Sequence, residues 1–242
     1  MADYIHAMKR PFSDLKRLII GILLSIPVPL LRFLTETIAL GYAYQCGKTA
    51  YEGETELPKW EKFMKLWVMG FLAAVIALIY SIPVLIAILT LARDLLKDYM
   101  FVGTETTVAA LQNFGHFVRS YGPGIFVVWG LALILSYIIP IAIMKFVIDG
   151  KFGSAFHLRF IFSKIFTLRY LKAWLVVTVL TSATSWLTLK LVSADALKDL
   201  TAANVGQVLV SLAPFLAVSI IITFVMNVFA YTVYGSIYKE LE

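Results

Sequence analysis

The fold is decided by residues 18–47, which read LIIGILLSIPVPLLRFLTETIALGYAYQCG. As a helix the apolar run Leu18–Leu31 is about 21 Å long, too short to cross roughly 30 Å of hydrocarbon comfortably. Two prolines interrupt it, and a charged pair, Arg32 and Glu36, separates it from a second apolar stretch at 37–47. The pattern predicts a re-entrant hairpin, or a short two-helix hairpin, over residues 18–47. Because irregular backbone at membrane depth needs cover from other protein, we expect this hairpin to lie inside the bundle.

Four longer apolar runs contain no charged residue, and each is long enough to cross a bilayer as a helix. Hydrophobic residues make up 60% of the chain and the mean hydropathy is +0.85, which leaves no stretch for a soluble catalytic domain. The predicted fold class is therefore all-α, a polytopic transmembrane helical bundle in a single integral membrane domain over residues 1–242. We predict full spans at about 66–92, 120–144, 173–189 and 205–238.

Basic residues are distributed unevenly between these runs. If the hairpin returns to its own side, only five of the 21 basic residues fall on the opposite side: Arg93, Lys97, Arg119, Lys190 and Lys198. Arg32 then lies at the tip and the other 15 share the side of the termini. A single crossing would instead divide the 20 basic residues other than Arg32 into 9 and 11. Because Lys and Arg accumulate in cytoplasmic loops, we predict a multi-pass protein of the cytoplasmic membrane with both termini in the cytoplasm.

Two segments combine aromatic and basic residues as helices at a membrane surface do. Trp60, Phe63 and Met64 recur at helical spacing. Aromatic residues also alternate with basic ones between the predicted spans at 120–144 and 173–189. We predict cytoplasmic interfacial amphipathic helices over 57–66 and 152–172. We expect contacts to anionic lipid headgroups from Lys151, Arg159, Lys164, Arg169 and Lys172. The alternation would also suit base stacking in a nucleic-acid binder, but its place between two spans favours lipid.

Several short motifs occur in the first third of the chain. They are Pro11-Phe12-Ser13-Asp14 before a basic pair, Gly41-Tyr42 after an apolar run, Leu57-Pro58-x-Trp60 after an acidic loop, and Gly70 early in the next span. Together they resemble a family of uncharacterised, mainly archaeal membrane proteins known as domain of unknown function 4013. The resemblance is densest over residues 11–83. It implies a compact helical membrane domain and supplies no catalytic residues.

Arg32 and Glu36 form a candidate intramembrane polar pair, because residues four apart are neighbours on one helix face. Charged groups at membrane depth are costly, which makes such a pair a functional hypothesis by default. One interpretation is a gate or solute-binding pair at the tip of the hairpin. The other is a tip that reaches water at the outer interface, where the pair caps a turn.

Two stripes of polar residues follow helical spacing in the last two spans. They are Thr178, Thr181, Ser185 and Thr188 in one, and Ser219, Thr223, Asn227 and Tyr231 in the other. Such stripes could line an aqueous path. Small hydroxyl residues also allow close helix packing in lipid, which we favour here because neither stripe carries a charge.

Patterns typical of catalysis are not found in the sequence. The three histidines, His6, His116 and His157, have no metal-ligand spacing, and the single cysteine, Cys46, cannot form an internal disulfide. No nucleophile–base arrangement and no glycine-rich phosphate loop are recognisable. We therefore expect no enzyme, no cofactor and no metal.

The favoured hypothesis for function is an accessory or organising protein of the membrane. Its partners would be anionic lipid headgroups and either other membrane proteins or a second copy of the chain, and not nucleic acid. The alternative is a small-solute channel or permease. A continuous water-accessible cavity between the two polar stripes and the hairpin would favour the alternative.

Overall fold

The computed structural model describes residues 4–26, 31–100, 107–191 and 205–241. Of the residues in 94–120 and 189–214, it describes no side chains. Every regular element within these ranges is a helix, so the all-α prediction is confirmed. In chain order the elements are α1 (Tyr4–Lys9), a 3₁₀ turn (Arg10–Phe12), α2 (Leu15–Leu24), α3 (Arg32–Glu52), α4 (Phe63–Met100), α5 (Thr107–Asp149), a second 3₁₀ turn (Phe152–Phe156), α6 (Leu158–Ile165), α7 (Leu168–Leu191) and α8 (Val205–Leu241).

In the described part of the chain, three helices are long and apolar enough to cross a membrane. These stretches are Phe63–Arg93 in α4, Tyr121–Asp149 in α5 and Phe215–Leu241 in α8. The expected span at 173–189 lies in α7, which meets the same criterion only together with α6, and the two helices are bent by 81°. The three helices indicate a membrane protein, and the fourth span stays a prediction.

The helix expected over residues 57–66 is wrong, because the chain is not helical from residue 54 to residue 62 and α4 begins at Phe63. Tertiary hydrogen bonds compete for the backbone carbonyls of this linker. Arg17 donates to the Leu57 carbonyl, and the Tyr42 hydroxyl donates to the Pro58 carbonyl at 2.8 Å. These bonds fix the linker in a conformation that the aromatic spacing did not reveal.

The single interfacial helix expected over 152–172 is also wrong in detail. The segment comprises the second 3₁₀ turn, α6 and the first turn of α7, with a sharp bend between α6 and α7. Ile161 and Ile165 are the buried face of α6, whereas Arg159 and Phe162 are exposed. The amphipathic character that the sequence predicts is thus carried by an eight-residue helix.

Helix α3 lies at the centre of the first of two compact units, which comprises Met1–Ala74 and Pro140–Glu242. Its contacts with α8 advance in the same direction along both helices, from Tyr44 on Tyr231 to Tyr51 on Tyr238. The two helices therefore run parallel. The core around them contains Ala39, Tyr42, Ala43 and Cys46 of α3 with Phe224 and Val228 of α8.

Glycine pairs allow α3 to approach two neighbouring helices closely. A Cβ on Gly70 of α4 would lie 2.0 Å from the Thr37 carbonyl oxygen, and a Cβ on Gly235 of α8 would lie 1.9 Å from that of Gly47. Neither distance is physically possible for a larger residue without moving a helix. Small residues at helix contacts are the usual means of association in lipid, where burial of apolar surface gives no driving force.

The second unit comprises Val75–Ile139, the C-terminal part of α4 and most of α5. Large apolar side chains are exposed on both helices, including Leu89 at 68%, Phe126 at 75% and Trp129 at 67%. A soluble protein rarely leaves so much contiguous apolar surface uncovered, whereas a lipid-facing surface has this composition.

We predict that Gly235→Ala destabilises the protein by about 1–3 kcal/mol, because the added methyl group collides with the backbone of α3. Gly130→Ala is the matched control, since it is also inside a helix and its Cβ would meet nothing within 4 Å. The control should be neutral or more stable by about 0.5–1 kcal/mol. Thermal unfolding in detergent measures both, and equal midpoints for the two variants would disprove the close α3–α8 contact.

Candidate functional site

Arg32 and Glu36 form an ion pair at the start of α3, with 2.8 Å between Arg32 Nε and Glu36 Oε1. Their side chains are 63% and 40% exposed. The pair lines a cavity of about 290 Å³ together with Ser219, Thr223 and Asn227 of α8. Ser219, Thr223 and Asn227 lie in the middle of α8, 14 to 22 residues from its first residue, Val205. The exposed side chains show that the described residues of the bundle do not enclose the pair, and both interpretations of its role stay predictions.

A second cavity, of about 340 Å³, lies between α7 and α8. Both predicted polar stripes contribute to it, through Thr181, Ser185 and Thr188 on α7 and through Ser219, Thr223 and Asn227 on α8. The three α8 residues line both cavities. The structure thus brings the charged pair and the two stripes to neighbouring cavities that share one set of polar side chains.

The polar residues on α7 and α8 differ in their hydrogen bonding. On α7, Thr181 and Thr188 donate to the carbonyls of Val177 and Thr184, at 2.7 and 2.8 Å, which satisfies them within the helix. Among the described residues, Ser219, Thr223 and Asn227 have no hydrogen-bond partner. Their polar atoms are therefore available to water or to a polar solute in either cavity.

Two stripe residues do not line either cavity, whereas one further hydroxyl residue of α7 does. Tyr231 packs in a T-shaped contact on Tyr44, with 4.5 Å between ring centroids, and belongs to the α3–α8 core. Thr178 is in neither lining, whereas Thr184 lines the cavity between α7 and α8. Thr184 follows Thr181 by three residues, so helical spacing alone could have included it.

The five predicted headgroup contacts occupy different environments. Lys151 and Arg159 are exposed at the surface. Lys164 is half-buried, donates a hydrogen bond to the Leu241 carbonyl and lies 5.2 Å from the centroid of the Phe160 ring. Lys164 therefore contacts the C-terminal end of α8, and its role as a headgroup contact stays a prediction.

Arg169 and Lys172, the other two predicted contacts, line a cavity of about 720 Å³ at the start of α7. The remaining lining residues are Tyr4, Leu175, Val176, Ile237 and Glu240. Burial, and to a lesser extent the Glu240 carboxylate, raise the pKa of Tyr4, so its phenol is neutral at physiological pH. The cavity therefore combines two cations, one carboxylate and a neutral hydroxyl with an apolar wall. We call it the basic pocket.

The most deeply buried charge in the described residues is Arg10, which is only 1% exposed. Its guanidinium donates to the carbonyls of Cys46 and Glu56, both at 2.7 Å, and to the hydroxyls of Thr49 and Thr232, at 2.7 and 3.3 Å. Burial lowers the pKa of Arg10, but a guanidinium keeps its proton in proteins. The sequence did not single out Arg10, because it lies in a basic lead beside Lys9 and no pattern distinguishes the two.

The motifs of the first third of the chain meet in one place beside Arg10. Tyr42 and Trp60 stack with 3.7 Å between ring centroids and 3° between ring planes. The Trp60 indole donates to the Arg17 carbonyl at 2.9 Å. Asp14 accepts from the backbone amide of Arg17 at 3.1 Å, which caps α2, and pairs with the Arg17 side chain at 2.8 Å. The motifs thus join α2, α3 and the linker.

The all-α fold and the three long apolar helices among the described residues indicate a membrane protein. The chain belongs to the family described as "Protein of unknown function (DUF4013)", which matches residues 20–193. The matched range includes α3, the linker and α7, and excludes Arg10 and α8. No curated protein and no solved structure matches the chain.

We predict that Arg10→Lys lowers the free energy of unfolding by about 1.5–3 kcal/mol. Lysine keeps the charge, but its compact ammonium cannot reach acceptors on α3, the linker and α8 at once. Lys9→Arg is the control, because Lys9 is the exposed neighbour and should tolerate the reverse exchange. Denaturant titration of detergent-solubilised protein measures both changes, and wild-type stability of Arg10→Lys would refute the role of the fork-shaped guanidinium.

Proposed function

We propose that the protein is a membrane-embedded accessory or organising protein that binds anionic lipid at the end of the bundle where α6 meets α7. The supporting observation is the composition of the surface at that bend. Phe166 and Leu168 are 81% and 73% exposed, and the exposed cations Lys151 and Arg159 lie on the same segment. Exposed aromatic and basic side chains side by side suit the boundary between acyl chains and anionic headgroups.

The proposed orientation places both termini, the linker at 54–62 and the bend between α6 and α7 in the cytoplasm. Its support is the distribution of basic residues, 15 on this side against 5 on the other. The location would be the cytoplasmic membrane. Labelling of Lys59→Cys by an impermeant reagent added outside intact cells would contradict this orientation, because the linker would then face the outside.

The proposed role involves no reaction, cofactor or nucleic acid. Besides lipid, the partners would be other membrane proteins or a second copy of the chain. The archaeal character of the family also belongs to the proposal, because it rests only on the resemblance of the motifs.

We predict that four Gln substitutions at the bend weaken retention of anionic lipid about tenfold or more. Each basic residue near an anionic surface contributes about 1 kcal/mol, and screening by salt reduces that contribution. Native mass spectrometry of the purified protein measures the lipid that remains bound. The variant replaces Lys151, Arg159, Arg169 and Lys172.

The matched control removes the same number of charges from outside the bend, by Gln substitution of Lys48, Lys59, Lys62 and Lys65. Loss of lipid in the first variant and retention in the second would support a lipid surface at the bend. Full retention in both variants would contradict the proposal.

A second candidate function is the passage of a small polar solute. The observation that favours it is the meeting of Arg32, Glu36 and both polar stripes at two cavities with shared, unpartnered side chains on α8. The cavities of about 290 and 340 Å³ are of the size that small solutes occupy.

If this candidate holds, proteoliposomes should swell in a gradient of a glycerol-sized solute faster than empty liposomes. The double variant Thr223→Val/Asn227→Leu should abolish the difference, because it replaces polar atoms in both cavities with apolar ones. Thr178→Val is the control, since Thr178 belongs to the same predicted pattern but lines neither cavity. Equal swelling of wild-type proteoliposomes and empty liposomes would dismiss solute passage.

A further inference from the structure

The basic pocket has two cations in its lining and a single carboxylate, Glu240, so its lining residues carry a net positive charge. Arg169 and Lys172 are three residues apart in the first turn of α7, both are exposed, and neither has a partner among the described residues. Like charges at this spacing repel each other. The N-terminal end of a helix adds a partial positive charge, so all three contributions favour an anion in the pocket.

Three of the remaining lining residues are apolar and form what we call its apolar wall. Leu175 and Val176 lie one turn further along α7, and Ile237 faces them from α8. A soluble anion would leave this wall uncovered, whereas a lipid would place its charged head on the cations and its hydrocarbon along the wall. Ile237 lies four residues from the end of the candidate span Phe215–Leu241. If this helix crosses the bilayer, that position would be near the depth at which the headgroup of a lipid gives way to its acyl chains.

The charges that line the pocket also restrict the headgroup. Two cations and the Glu240 carboxylate give a net charge of +1, which a single phosphodiester balances. Hydroxyl groups on the headgroup would suit Glu240 as acceptor and Tyr4 as donor or acceptor. A zwitterionic headgroup would leave the net positive charge uncompensated.

We infer that the basic pocket binds one anionic glycerophospholipid with a hydroxylated headgroup. The phosphodiester lies between Arg169 and Lys172, the headgroup hydroxyls face Glu240 and Tyr4, and an acyl chain follows Leu175, Val176 and Ile237. The inference rests on the proposed function and narrows it from a surface to a single site.

The test compares two double variants of the full-length protein by native mass spectrometry with added phosphatidylglycerol. Arg169→Gln/Lys172→Gln removes the cations of the pocket, and Lys151→Gln/Arg159→Gln removes two exposed cations of the same bend outside it. We expect about a tenfold loss of bound phosphatidylglycerol in the first variant. The loss in the second should be clearly smaller, about two- to threefold, because Lys151 and Arg159 belong to the surrounding lipid surface and do not line the pocket. Phosphatidylcholine should bind both variants and the wild type equally weakly.

Other outcomes separate this inference from the proposed function. Equal losses in the two double variants would overturn the pocket and leave a diffuse anionic-lipid surface. Full retention in both would overturn the pocket and the proposed function together. Displacement of the lipid by millimolar soluble glycerophosphate would show that the pocket binds a free phosphate ester, and it would overturn the inference that its ligand is a lipid.

The exchange Arg169→Lys/Lys172→Arg guards against a loss caused by misfolding. It keeps both charges, so it should retain phosphatidylglycerol at the wild-type level and unfold at the wild-type temperature. Loss of lipid in this variant with unchanged thermal stability would show that charge at the pocket is not what binds the headgroup.

Discussion

A single buried guanidinium connects most of the segments on which the architecture depends. Arg10 donates hydrogen bonds to α3, to the linker through Glu56 and to α8 through Thr232. All its acceptors are neutral oxygens, so the arrangement depends on geometry rather than on an opposite charge. Because a buried charge without acceptors is strongly unfavourable, the N-terminal segment, α3, the linker and α8 must keep these positions together.

The polar cavities beside α8 and the basic pocket both depend on the packing of α3 against α8, which the hydrogen bonds of Arg10 stabilise. Helix α8 runs parallel to α3, so its polar residues Ser219 to Asn227, in the middle of α8, meet the start of α3, while its last turns meet α7 at the basic pocket. Gly47 and Gly235 allow the close spacing between the two helices, because neither residue has a side chain. A change at this contact would therefore alter both sites without touching the residues that line them.

The sequence predicted features that depend on local periodicity, and it failed where distant contacts decide. Helical spacing correctly grouped Ser219, Thr223 and Asn227 on one face, but it could not show that α3 and α7 lie on either side of that face. The aromatic spacing around Trp60 predicted a helix there. The hydrogen bonds from Tyr42 and Arg17 that prevent this helix come from distant segments, so the local sequence does not show them. Arg10 was indistinguishable from Lys9 for the same reason, since burial is set by segments more than thirty residues away.

Hydrogen–deuterium exchange of wild type and Arg10→Met tests the central role of Arg10 most directly. Loss of the guanidinium should increase amide exchange together in residues 4–13, in the last turns of α3 around Thr49 and in the linker at 54–62. Exchange in the second unit, Val75–Ile139, should not change, because no contact of Arg10 reaches it among the described residues. An increase confined to residues 4–13 would contradict the account, since it would show that α3 and the linker hold their positions without Arg10.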